Sequence, residues 1–137
     1  MNGEYKEKLP FGTGDLIVTK DTFYIQFYFS GPDLRHNGTF KRINNDEIDL
    51  YIKAYEDNWK KYEELQNFTE KIGGEFTTVG QMNIQITIGG WRNGVCIDSY
   101  HLPLRSEKEI KSLIDSFNWA KNRGREIMKL LVSINSL

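Results

Sequence analysis

Residues 15 to 30 read DLIVTKDTFYIQFYFS, and the folding of this stretch decides the architecture. β-Branched and aromatic residues dominate both sides of the polar break Lys20-Asp21, which predicts two strands joined by a short turn. In the second strand Phe23, Ile25, Phe27 and Phe29 share one face, while Tyr24, Gln26 and Tyr28 share the other. Such a strand aggregates if left bare, so it is expected at the centre of a sheet or under a helix.

Toward the N-terminus, residues 1–9 are polar and are expected to form a flexible tail, leaving 10–137 as the folded domain. On the other side, GPDLRHNG at 31–38 strings turn formers together, and TFKRI at 39–43 offers a short third strand. Asn44 followed by Glu47 has the spacing of a capping box and predicts a helix from about Asp46 to Lys71, stopped by Gly73-Gly74. QMNIQITI at 81–88 then alternates cleanly, with Met82, Ile84, Ile86 and Ile88 on one face. VCIDSYHL at 95–102 is expected to pair with it. Ser106 and Glu109 form a second capping box, and apolar residues from Ile110 to Ile134 keep helical spacing in a last helix that Gly124 is expected to interrupt. The order β-β-(β)-α-β-β-α predicts a single α+β domain: a mainly antiparallel sheet of four to five strands with two long helices.

Length and composition narrow the function. A chain of 137 residues suits one domain, and 39% hydrophobic with 13% aromatic residues is enough bulky apolar surface to order it. Lys and Arg number 18 against 19 Asp and Glu, so no global field draws the chain to nucleic acid, for which no base-reading motif is evident either. No 18-residue apolar run is present to span a membrane, and the single cysteine, Cys96, permits no intrachain disulfide; both features point to a cytoplasmic protein.

The densest cluster of polar and aromatic residues lies at 89–105, GGWRNGVCIDSYHLPLR. Read as a type I′ hairpin turning at Asn93-Gly94, it sets Trp91 opposite Cys96, Gly89 opposite Asp98, and Ile86 opposite His101. One face then carries Ile86, Ile88, Val95 and Ile97 with His101; the other carries Trp91, Asp98 and Tyr100 beside the bare backbone of Gly89. That second face has the makings of a shallow recognition pocket, with Arg92, Asn93 and Arg105 nearby. The alternative is purely geometric: Gly89-Gly90 forms a bulge or bend that a neighbouring ring shields.

Acid-base chemistry has few candidates. His36 and His101 are the only histidines, the first in a turn and the second on an apolar strand face, and neither is joined by an evident Ser or Cys nucleophile. Their separation and the scattered carboxylates show none of the spacing of a metal site, and Gly12-Thr13-Gly14 precedes a strand instead of following one, so no metal and no cofactor is expected.

The helices offer contact surface. Tyr51, Tyr55, Trp59 and Tyr62 recur at helical spacing in the first, among outward acids; rings with polar ends suit a core edge or a partner interface. The last helix carries Lys121, Arg123, Arg125 and Lys129 in its C-terminal half and places Trp119 off its apolar stripe. Tyr24, Tyr28, Tyr51, Tyr55, Trp59, Trp119, Arg123 and Arg125 are therefore the candidate partner surface, and uncovered rings predict a homodimer.

The leading expectation is a non-enzymatic binding protein that docks on and neutralises another macromolecule, as an immunity or inhibitor protein does. A second is a sensor or sequestering protein for a small anionic metabolite or nucleotide, held by Trp91, Asn93, Asp98 and Tyr100 with Arg92 or Arg105 meeting its charge. A third is a small enzyme using His101 or Asp98 as its base.

Overall fold

The computed structural model describes residues 3–11, 14–28, 40–65, 73–79, 82–87, 94–97 and 104–135. The β-rich stretch at 15–30 forms the middle of an antiparallel sheet in the order β1 (Tyr5–Lys8), β2 (Gly14–Val18), β3 (Phe23–Tyr28), β4 (Phe40–Asn44). The β2–β3 turn is held where the polar break predicts it, by Thr19: its backbone N–H donates to the Thr22 carbonyl at 2.7 Å, and its hydroxyl accepts from the N–H groups of Asp21 and Thr22. Val18 then faces Phe23, and β3 lies between β2 and β4 as its two apolar-aromatic faces require.

A 3-10 turn at Asn45–Glu47 leads into α1 (Ile48–Leu65). The Asn44 N–H donates to the Glu47 carboxylate at 3.3 Å, as the capping spacing predicts. The second sheet has the order β5 (Gly73–Val79), β6 (Met82–Thr87), β7 (Gly94–Ile97), and α2 (Glu107–Asn135) closes the described chain. Ser106 caps α2: its hydroxyl accepts the Glu109 N–H at 3.1 Å, while the Glu109 carboxylate reaches back to the N–H of Arg105.

The α+β class, the antiparallel pairing and the two long helices are as expected, with the strands divided between two sheets. α2 packs on β2 and β3, α1 packs on β5, β6 and β7, and the two helices pack on each other. One continuous core results, built from Leu16, Ile25 and Ile43 of the first sheet, Ile84, Ile86 and Val95 of the second, and Tyr51, Tyr55, Leu113 and Phe117 of the helices. Buried Asn58 ties α1 to β6: its side-chain amide donates to the carbonyls of Ala54 and Ile84.

Four expectations are corrected. The N-terminal tail is partly ordered: Tyr5–Lys8 pairs with β2, Leu9 is buried, and Phe11 exchanges two hydrogen bonds with the buried hydroxyl of Ser116 on α2. Its alternating Tyr5 and Glu7 turn one side toward α2, which polar composition alone concealed. β5 occupies residues expected only to end a helix; Gly73-Gly74 starts a strand with a register shift between Gly73 and Glu75. α2 runs unbroken through Gly124, where the requirement is space: a Cβ would lie 2.3 Å from the Phe23 ring.

The fourth correction is the 89–105 hairpin. Ile84 faces Ile97 and Ile86 faces Val95, so the pairing is displaced by six positions and 88–93 connects the strands in place of a tight Asn93-Gly94 turn. An even displacement keeps the isoleucines and Val95 on one face, and it replaces Ile97-on-Gly90 and Val95-on-Arg92 with apolar pairs across strands. Gly94 is needed as a strand residue. Its φ is 139°, and a Cβ there would stand 2.5 Å from the Leu104 carbonyl, because Val95 and Leu104 exchange backbone hydrogen bonds.

Candidate functional site

The two helices run antiparallel. Lys121 of α2 meets Asp49 near the start of α1 at 2.7 Å, and further along the Tyr55 and Phe117 rings pack edge to face with centroids 6.0 Å apart. Beyond that pair the C-terminal half of α1 lies beside the N-terminal half of α2. There the facing side chains leave a groove of about 470 Å³.

Its floor is apolar. Trp59, Ile110 and Ile114 are half-buried or buried and pack against the core, and the Trp59 ring stacks on Tyr62 with centroids 5.2 Å apart. The walls are charged: Glu56, Lys60 and Glu63 on α1, and Glu107, Lys111 and Asp115 on α2. None of these six makes an ion pair among the described residues, although the i, i+4 spacing would permit several. The Trp59 Nε1–H is buried with no hydrogen-bond acceptor among the described residues.

The opposite end of the helix pair uses its charges internally. Tyr5 Oη and Arg123 Nε both donate to the Glu7 carboxylate, the latter at 3.1 Å, and Arg123 also reaches Glu126 at 3.2 Å. The Tyr5 hydrogen bond first, and the Arg123 hydrogen bond next, hold the Glu7 carboxyl below its ordinary value. Hydrogen bonds to Tyr5 first, and to Glu7 next, raise Arg123 above its ordinary value. On the outer face of the first sheet, the Arg42 guanidinium lies 3.8 Å from the centroid of the half-buried Tyr24 ring.

The candidate residues chosen from the sequence are dispersed accordingly. Tyr51 and Tyr55 are 0% and 1% exposed; they belong to the core and offer no partner surface, because α1 turns that stripe onto the second sheet and α2. Arg123 is committed to Glu7, and Trp119 packs against the core while remaining half-exposed. Arg125 is exposed, and Tyr28 pairs with Phe40 in the β3–β4 register. Arg105 is exposed and leads into α2. Trp91, Arg92, Asn93, Asp98, Tyr100 and His101 lie outside the described residues.

Of the sequence candidates among the described residues, Trp59 alone lines the groove. Glu107, Ile110, Lys111, Ile114 and Asp115 were not singled out, because nothing local in α2 marks them; their significance comes from the antiparallel partner. The groove lining holds no histidine, cysteine or serine. Among the described residues no group of three or more His, Cys, Asp or Glu is placed to hold a metal ion, and no helix is long and apolar enough to cross a membrane. No protein-family model, curated protein or solved structure matches this chain.

Proposed function

We propose that this protein acts by binding, docking on another protein through the α1–α2 groove and blocking it, as an inhibitor or immunity protein does. The observation that supports the reading most is the groove's composition: an apolar floor of Trp59, Ile110 and Ile114 between two walls of charges that make no ion pair among the described residues. Arg123 and Lys121, at the other end of the helix pair, are paired internally. The charges of the groove are presented. With four carboxylates against two ammoniums, the groove disfavours an anionic metabolite at this site. The lone cysteine suits action in the reducing cytoplasm.

Native mass spectrometry of freshly purified protein tests the reading. An apo mass, together with one macromolecule that co-purifies and is lost on Ile114→Glu, is the expected result. A retained small-molecule mass and no macromolecular partner would defeat it.

A second reading, association with another copy, draws on a different surface. Leu130 and Ile134 lie four apart on one face of α2 and are 53% and 63% exposed. Light scattering at high concentration is expected to show a dimer that Leu130→Ser with Ile134→Ser dissociates; a monomeric wild type removes this reading.

A further inference from the structure

Resting on the docking reading above, we infer that the occupant of the groove is an amphipathic helix of the partner protein, and that its two flanks each carry a basic, acidic, basic sequence of side chains. The first argument is shape. The lining positions advance by i, i+3, i+4 and i+7 on α1 and by i, i+3, i+4, i+7 and i+8 on α2, so the groove follows two helix ridges for about two turns, roughly 11 Å. An apolar seam between two antiparallel helices is the place where a third helix packs, with its own i, i+3/i+4, i+7 stripe on the floor.

The second argument is charge order. One wall reads Glu56, Lys60, Glu63 and the other Glu107, Lys111, Asp115: acid, base, acid on both sides. A net excess of carboxylates selects a basic partner, and the central lysine on each wall adds a register. A helix carrying Lys or Arg, then Glu or Asp, then Lys or Arg along each flank meets opposite charges throughout; one displaced along the groove by a turn meets like charges.

The probes are synthetic helical peptides of about twenty residues with a leucine stripe, made in three versions: flanks Lys-Glu-Lys, flanks Glu-Lys-Glu, and flanks all Lys. Each is titrated into the isotope-labelled full chain, with the Trp59 indole signal assigned by its loss in Trp59→Phe. The Lys-Glu-Lys peptide is expected to shift that signal and those of both helices, binding at least roughly tenfold tighter than the reversed version. Glu56→Lys with Glu63→Lys, both at exposed positions, is expected to abolish the preference while leaving the melting temperature close to that of the wild type.

Equal binding of the reversed peptide, or tighter binding of the all-Lys peptide, overturns the charge order. If no peptide binds, and a macromolecule still co-purifies with both the wild type and the charge-reversed variant, the helix inference fails while docking stands. If nothing co-purifies either, both fail.

Discussion

The two ends of the α1–α2 pair are built from similar side chains put to opposite use. At one end Asp49 holds Lys121, and Glu7 on the edge strand holds Arg123, so charge fastens sheet to helix and helix to helix. At the other end six charges surround an apolar floor and hold nothing among the described residues. The first end is closed by the fold. The second is what the fold leaves open, and the contrast teaches that charge content says little about function until its partners are known.

The largest effect expected from breaking this contrast is at the closed end. Phe23 is buried and its ring lies on Gly124, so Phe23→Ala should cost about 3–5 kcal/mol in urea unfolding, through a cavity between β3 and α2. Gly124→Ala comes next. Helix propensity alone would favour alanine by about 1 kcal/mol, yet the new methyl group meets a ring at 2.3 Å, and overpacking of about 1–3 kcal/mol should win, giving net destabilisation. A stabilised variant would show that the ring yields easily and that the close approach is incidental.

At the open end the effects on stability should be smaller. Trp59→Phe keeps a ring over Tyr62 and removes the unpaired donor, so we expect a change of less than about 1 kcal/mol despite the burial of the indole nitrogen. A large loss would mean that the indole serves the core and would weaken the case for the groove.

The smallest effect concerns pH. Because the folded-state carboxyl of Glu7 titrates below its ordinary value of 4.5, its contribution to stability is present above that value and is lost as pH falls through the lower folded one. The difference in melting temperature between wild type and Glu7→Gln should therefore be visible at neutral pH, shrink below pH 4.5 and vanish under stronger acid. A difference independent of pH would detach Glu7 from the Arg123 and Tyr5 cluster.

Much of the architecture was legible in the chain. The alternation of Phe23 to Tyr28, the Ser106–Glu109 cap and the Asn44–Glu47 spacing each involve residues within a few positions of one another, where sterics and hydrogen bonding act without help from elsewhere. The candidate site was barely legible. Trp59 stood out by type, whereas Ile110 and Ile114 looked like any other helical stripe, and Tyr51 and Tyr55 had the same signature as Trp59 while belonging to the core.

By itself, then, the sequence determined the strands β2, β3, β4 and β6 and both long helices, with the apolar faces of each, since these follow from local periodicity; β1 and β5, which carry little apolar alternation, did not show in it. Tertiary structure decided the rest. It set the β6–β7 register that pairs Ile84 with Ile97 and Ile86 with Val95, assigned Gly124 to the Phe23 ring, spent Arg123 on Glu7, and brought two acid-base-acid ridges together around Trp59. Each of these outcomes depends on which surface arrives from a distant part of the chain, and periodicity along one segment carries no information about its neighbour in space.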